Sequence, residues 1–316
     1  MKTFEEKKMS MELGSYAYDY WKGMKRRNES FSMSLNDGLT PGGGYLLPGA
    51  SDKKYREERR AASVFRKIAT SISAFDGSCS INAIDGRGSV DWIPEGGTVP
   101  IQDCADDFTK YTVNSYKLAT ILRLHDSTLA DSQFNLEDYL VRRLARNFGK
   151  AEDAAFVSGT GENMPTGILN GTGGAEIGVT TSELVFNDVI GLYFSLDPDY
   201  RERGAWIMND TTALALRTMK DNSGNYLWNA ANDTILSKPV YICNSMPDIE
   251  AGEKPIAFGD FSYYCIVDRE PASMRTLGEL FANNQQTGYL CTEFLDAKLI
   301  RPDAVKVLQI AADEEA

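Results

Sequence analysis

The stretch that most limits how this 316-residue chain can fold runs from Asn135 to Val157, "NLEDYLVRRLARNFGKAEDAAFV". Leu136, Leu140, Leu144, Phe148, Ala151 and Ala155 fall at steps of three and four, which puts them on one face of a helix. Asn135 has an N-capping side chain, and Asp138 occupies the third helical position. At 1.5 Å per residue the helix is about 33 Å long. It is a spine for the fold.

The segment that ends the spine, "SGTGENMPTGILN" from Ser158 to Asn170, has the glycine content of a phosphate-binding loop. The phosphate motif needs GxxxxGK followed by Ser or Thr, set between a strand and a helix. Here no Lys follows Gly167, and the loop comes after a helix. The dinucleotide fingerprint also requires a preceding strand. Gly159, Gly161 and Gly167 are therefore read as parts of a helix-terminating turn.

Before the spine, Met9, Leu13, Tyr16, Tyr20 and Met24 share a helical face between Phe4 and Arg27, and Gly14 and Gly23 weaken that helix on its own. A terminal helix with such a stripe packs on another surface, and a second subunit is one candidate. Tyr20 and Trp21 are the contact residues it would offer. "SLNDGLTPGGGYLLPG" then reads as an extended linker with a short strand at Tyr45 to Leu47. "KKYREERRAASVFRK", Lys53 to Lys67, permits a helix. It is either a solvated charged face or, through Arg59 and Arg60, an inter-subunit partner for acidic surface elsewhere.

Cys79 to Thr109, "CSINAIDGRGSVDWIPEGGTVPIQDCADDFT", is rich in Gly, Pro and Asp with short β-prone pieces. A long loop of this kind inside a compact domain is usually functional. It reads as a projecting β-hairpin, with turn chemistry at "DGRG" and "EGG". Arg87, Trp92, Ile93 and Glu95 lie on it, and exposed aromatic side chains on a projection mark a docking surface. Tyr111 to Leu124 is strand-like, with Tyr116, Leu118, Leu122 and Leu124 on one face.

After the spine, Ser182 is placed to cap a helix with Phe186, Val189, Ile190 and Tyr193 inward, and Asp197 and Pro198 end it. "GAWIMN" reads as a buried strand, and Asn209 or Asp210 caps a helix running to Lys220. "DNSG" is a turn, and "YLW", "PVYIC", "PIAFGD" and "YYCIVDR" are strands. "GYLCTEFLDAKLIRPDAVKVLQI" alternates like paired strands. Helices and strands mix without regular βαβ alternation, which indicates an α+β fold with a largely antiparallel sheet.

The chemistry of enzymes is hard to place on this chain. Its single histidine, His125, ends a strand and reads as a structural group. Asp106 and Asp107 point apart on a strand, and no GxSxG occurs. The five cysteines, Cys79, Cys104, Cys243, Cys265 and Cys291, include no CxxC and read as scattered reduced thiols of a cytoplasmic protein. No catalytic, cofactor-binding or metal-ligating residue is therefore assigned. A net charge of −12 and a pI near 4.7 argue against tight binding of nucleic acid. No apolar run is long enough to span a bilayer, and "MKTFEEKKMS" lacks the apolar core of a signal peptide.

Taken in order and at their spacing, several of these segments resemble the major capsid proteins of tailed bacteriophages, whose fold is shared with encapsulins and the herpesvirus capsid floor. "GGYLLP" is similar to the family's strand before the shell domain. "WIPEGG" stands where the family has its extended loop, and "KLATILRLHDSTLADS" leads into the spine helix. "AFVSGTGENMPTGILN" resembles the end of that helix and the turn after it. "AWIMNDTTALALRTMKDNSGNYLW" and "PVYICNSMPDIEAGEKPIAFGDFSYYCIVDR" look like its axial domain.

The resemblance implies an N-terminal arm at 1–41, a peripheral domain starting at 42–78, and an extended loop at 79–109. The peripheral domain continues with the spine at 110–181. An axial domain follows at 182–258, then peripheral strands at 259–301, and a return to the axial domain with an acidic tail at 302–316. It implies a structural shell subunit, not an enzyme and without cofactors, that builds hexamers and pentamers around phage double-stranded DNA. The alternative it allows is an encapsulin-like nanocompartment. A scaffolding protein and a portal are the implied partners, with room for decoration proteins and none for a membrane. The implied location is the virion, with assembly in the host bacterial cytoplasm.

Many family members begin with a long scaffolding region that a protease removes. The shorter arm before "GGYLLP" here implies either a separate scaffold or a processed start. Some members also lock their shells with Lys–Asn isopeptide bonds whose lysine sits on the extended loop. Asn283 and Asn284 are available acceptors, but Cys79 to Thr109 contains no lysine and only Arg87 as a basic residue. Non-covalent shells are therefore expected, with Lys67 and Lys110 lying near the base of the loop.

Overall fold

The computed structural model describes residues 45–47, 49–74, 80–84, 92–94, 108–130, 135–220, 228 and 234–312. The N-terminal stripe, Tyr20 and Trp21 among it, lies outside them, as do the "DNSG" turn and the acidic tail. The chain enters by β1 (Tyr45–Leu46), α1 (Gly49–Ala62), the short α2 (Phe65–Ile68) and β2 (Thr70–Ser73). β3 (Ser80–Ile84) and β4 (Phe108–Thr112) follow, then β5 (Tyr116–His125), α3 (Asp126–Ala130) and the spine α4 (Leu136–Ser158). The second half runs β6 (Glu176–Thr181), α5 (Phe186–Ser195), α6 (Pro198–Arg201), β7 (Ala205–Met208) and α7 (Asp210–Thr218). It ends with β8 (Thr234–Ile235), β9 (Lys238–Ile242), β10 (Ile256–Gly259), β11 (Tyr264–Leu277), β12 (Gln286–Leu299) and β13 (Val305–Ile310).

The fold is α+β, as expected, and its strands divide between two larger sheets and one hairpin. The first sheet runs β1-β11-β12-β5, with β2 laid parallel on β11. The second runs β6-β13-β10-β7-β9-β8. It is mixed, because β7 connects through α7 to β9 in parallel and β13 pairs β6 in parallel. β3 and β4 pair antiparallel, Ser80 opposite Thr112 and Ile84 opposite Phe108.

The spine forms where the periodicity places it. The Asn135 side chain accepts the Asp138 N–H at 3.2 Å, so a first-turn donor is satisfied. Leu136, Leu140, Leu144 and Phe148 are buried against β5, β11 and β12 together with Leu47, Leu122, Met274 and Tyr289. The last two turns depart from the expected stripe. Ala151 is exposed and Ala155 half-buried, while Glu152, Asp153 and Phe156 face inward. The apolar pattern missed this because the inward carboxylates are held by partners far away in the chain.

The second sheet is covered on both faces, so β7 and β10 are buried along their whole length. Trp206, Met208, Ile256 and Phe258 point toward α5 and α7, where the Trp206 and Phe258 rings stack at 4.2 Å. Ala205, Ile207 and Ala257 point the other way, into a core that also takes Phe65, Phe156, Tyr264 and Leu299. That shared core joins the two sheets.

Two local expectations are corrected. Ser182 does not cap α5; Val185 holds the N-cap position, and its N–H donates to the Asp188 carboxylate at 3.1 Å. The C-terminal segment does form two strands, but they do not pair with one another. β12 lies between β11 and β5, and β13 lies between β10 and β6. Pro302, which has no N–H to give a ladder, opens a 3-10 turn over Pro302–Ala304 that carries the chain from one sheet to the other.

Candidate assembly surface

α1 presents one face to solvent and one to the spine. Its inner face is fixed by Ser51, whose hydroxyl donates to Glu137 at 2.6 Å, and by the Lys54–Asp138 ion pair. Tyr55 meets Phe148 edge-on at 6.5 Å. Gly149 lets the helices approach, since a Cβ there would stand 3.1 Å from that of Ala62.

Beneath this contact lies a buried charge cluster. The Arg66 guanidinium donates to both Glu152 oxygens, at 2.6 and 2.7 Å, and to both Asp268 oxygens, at 2.8 and 3.2 Å. Arg59 donates to Glu293 at 2.8 Å, to Asp268 at 3.3 Å and to Glu152 at 3.5 Å. Asp153 closes the α1–α2 turn by accepting from the Ser63 hydroxyl at 2.6 Å and from the Val64 and Phe65 N–H groups at 2.8 and 3.2 Å. Burial works to raise Asp268, but Arg66 and Arg59 overcome it and hold that carboxyl below its usual range. Burial raises Asp153 and Glu293.

The cluster corrects the expectation for Arg59. Only 6 % exposed, it spends its charge on carboxylates of its own chain instead of serving as an inter-subunit partner. Arg60, the next residue on the helix, is exposed. Sequence reading also missed Arg66, Glu152, Asp268 and Glu293. The one available signal was the charge density of "RRAASVFRK" before a four-residue helix that begins at the fully buried Phe65.

The cluster sits at the foot of the hairpin. β2 lies on β11 with Ser73 opposite Asp268, and the Ala74 N–H donates to the Asp268 carbonyl at 2.9 Å. The returning foot is pinned where the Asn114 N–H donates to Asp296 at 2.7 Å and Lys298 Nζ to the Thr112 carbonyl at 3.0 Å. Both feet therefore stand on the first sheet. Between β3 and β4, Trp92 is fully exposed and Ile93 is 37 % exposed, while Arg87 and Glu95 lie outside the described residues. An indole in water forgoes the burial that makes Trp a strong anchor. Phe194, Leu214 and Leu280, unremarked in the sequence, add exposed apolar surface at 62 %, 64 % and 65 %.

The glycine-rich loop is a closed turn. The Gly159 N–H donates to the Ala155 carbonyl, Gly167 to Gly159, Ile168 to Phe156 and Leu169 to Val157. The Asn170 amide donates to the Gly159 and Thr160 carbonyls at 3.2 and 2.9 Å. Those amides are committed to the protein and do not point at a ligand. Gly161 has φ +82°, where a side chain is strained, and a Cβ on Gly167 would lie 2.4 Å from the Val157 carbonyl oxygen.

His125 ends β5, exposed, with its ring 3.1 Å from the Gln286 amide. Cys243, Cys265 and Cys291 are buried thiols, and burial pushes the Cys243 thiol up to about 11. Among the described residues no group of three or more His, Cys, Asp and Glu is placed to hold a metal ion, and no helix is long and apolar enough to cross a membrane.

The geometry has known counterparts. The model of the phage capsid family matches residues 43–310. The probable major capsid protein gp17 of Mycobacterium phage D29 is 27 % identical over 188 residues, 58 % of this chain and 58 % of that protein. The alignment thus spans little more than half of that relative. Among solved structures, the capsid of an empty GTA particle, with C5 symmetry, has a TM-score of 0.63 at 28 % identity, covering 79 % of this chain and 90 % of the other. The capsid of a native GTA particle has a TM-score of 0.64 at 25 % identity, covering 90 % and 99 %. By sequence across most of its length and by fold, the chain belongs to the phage capsid family.

Proposed function

We propose that the chain is a structural subunit of a tailed-phage head that assembles with copies of itself into hexamers and pentamers of an icosahedral shell around double-stranded DNA. The observation that carries this reading is a family match from 43 to 310, joined to a fully exposed Trp92 between the paired strands β3 and β4. An indole left in water is what a neighbouring copy would bury. In this reading the six-stranded sheet with α5 and α7 forms the axial domain at the ring centre. The first sheet and the spine form the peripheral domain that bridges rings, and Arg60 faces a neighbour. The net charge of −12 suits an inner wall that encloses DNA without gripping it. A scaffolding protein and a portal would act during assembly in the host cytoplasm, and decoration proteins could bind the finished virion.

Negative-stain microscopy with sedimentation analysis of the purified chain, alone and with its co-expressed head genes, tests the proposal. Closed shells or rings are expected, with interfaces above the roughly 1,600 Å² of a standard pair. A compact monomer under every condition would overturn it.

A further inference from the structure

The buried cluster is not balanced in charge. The two guanidiniums of Arg59 and Arg66 face the three carboxyl groups of Glu152, Asp268 and Glu293. Even the most accessible of these side chains, Asp268, is only 19 % exposed. If all were ionised, one negative charge would stand uncompensated in the interior, where an acid takes a proton instead.

Hydrogen bonding indicates which acid does so. Both oxygens of Glu152 and both of Asp268 accept from guanidinium N–H groups. Glu293 is engaged through Oε1 alone, by Arg59 at 2.8 Å. Its Oε2 is buried without a hydrogen-bond partner, and so is the hydroxyl of Tyr55. Both residues line one narrow cleft whose other walls include Arg59, Asp268, Asp52, Arg56 and Glu270. Arg56 is 48 % exposed at its mouth, so the cleft gives protons a way in from solvent.

We propose that Glu293 is a proton-binding site. At neutral pH it is the neutral acid, its hydroxyl hydrogen on the Oε2 that is buried without a partner, so that two guanidiniums are matched by two carboxylates. The proton comes from and returns to water through the cleft. Its loss leaves one unmatched negative charge between α1 and β12 and weakens the docking of α1. The charged and titratable groups around Glu293 are Arg59, Tyr55 and, along the cleft, Asp52 and Arg56 from α1, Arg66 from α2, Glu152 from α4, Asp268 and Glu270 from β11 and Cys291 from β12. Burial pushes Glu293 upward while Arg59 pulls it down, and the net direction is up. Burial, then Glu293, also raises the Tyr55 hydroxyl, so it remains protonated.

The sign of the pH dependence follows. The folded chain binds this proton more tightly than the unfolded one, so its contribution to stability falls as pH rises. The fall begins at the free glutamate value of about 4.3 and ends at the raised folded value. Thermal melts of the unassembled full chain against Glu293→Gln test it, because the amide keeps the shape and a donor and carries no charge. In mildly acidic buffer the variant is expected within about 3 °C of wild type. Its advantage should grow as pH rises. A wild type that gains on the variant with rising pH would overturn the proposal. If E293Q fails to fold, infrared spectroscopy of wild type labelled with ¹³C at glutamate carboxyls decides. A protonated-carboxyl band at neutral pH, moved by the label and shifted in Tyr55→Phe, is expected. Absence of a label-sensitive band means that Glu293 is ionised and the proposal is wrong.

Discussion

Phe65 packs against Phe156, Phe261 and Tyr264 at centroid distances of 5.8, 6.2 and 5.4 Å, in the core that both sheets share. Phe65→Ala should cost about 3–5 kcal/mol, read as a lower urea midpoint at an unchanged slope. Arg66 acts through charge. Arg66→Met strips Glu152 and Asp268 of their shared cation, and breaking such a buried pair costs about 3–5 kcal/mol. The same variant should change the acid limb of stability. Asp268, held below its usual range in the fold, contributes stability above the free aspartate value of about 3.9, lost as pH falls through its folded value. Without Arg66 that depression shrinks, so the variant's deficit should be largest above about pH 3.9 and narrow as pH falls; a deficit that does not change with pH would assign the depression to Arg59 alone. Gly167→Ala should destabilise by about 1–3 kcal/mol through overpacking, because the new Cβ meets backbone that cannot step aside. Calorimetry would read that loss.

At the scale of elements, the hairpin is the most separable part. β3 and β4 pair with each other alone among the described strands. Deleting Cys79 to Thr109 and closing the gap should leave a cooperative unfolding transition and abolish closed particles in the microscope. Loss of the transition would mean that the hairpin belongs to the core. The spine teaches a different lesson about legibility. Its cap and first four inward positions follow from a 3.6-residue period and a capping side chain. Its last two turns do not, because Glu152 and Asp153 are buried by partners 86 to 93 residues away. No local pattern makes an inward carboxylate legible when its compensation comes from another helix.

For the whole molecule, the absence of lysine from Cys79 to Thr109 argues that subunits are held without isopeptide bonds. Shells boiled in detergent with reductant should give one band near 34.9 kDa. A resistant ladder from dimer upward would direct attention to Lys110, which is exposed on β4. The whole is also where β12 and β13 part company. Both alternate in apolar and polar residues, and alternation specifies a strand without naming its neighbour.

The sequence by itself determined the α+β class, the spine and its cap, the hairpin, the turn at Gly159 to Gly167 and the family. Each rests on local periodicity, on turn chemistry or on the order of motifs, all of which a linear chain carries. Only the tertiary structure decided which strands share a sheet, that Arg59 turns inward while Arg60 faces water, and that three carboxyl groups meet two guanidiniums beneath α1. Those outcomes depend on contacts across as many as 234 residues of chain, as from Arg59 to Glu293. At that range a charged residue's burial is set by what folding brings to it, not by its neighbours in sequence.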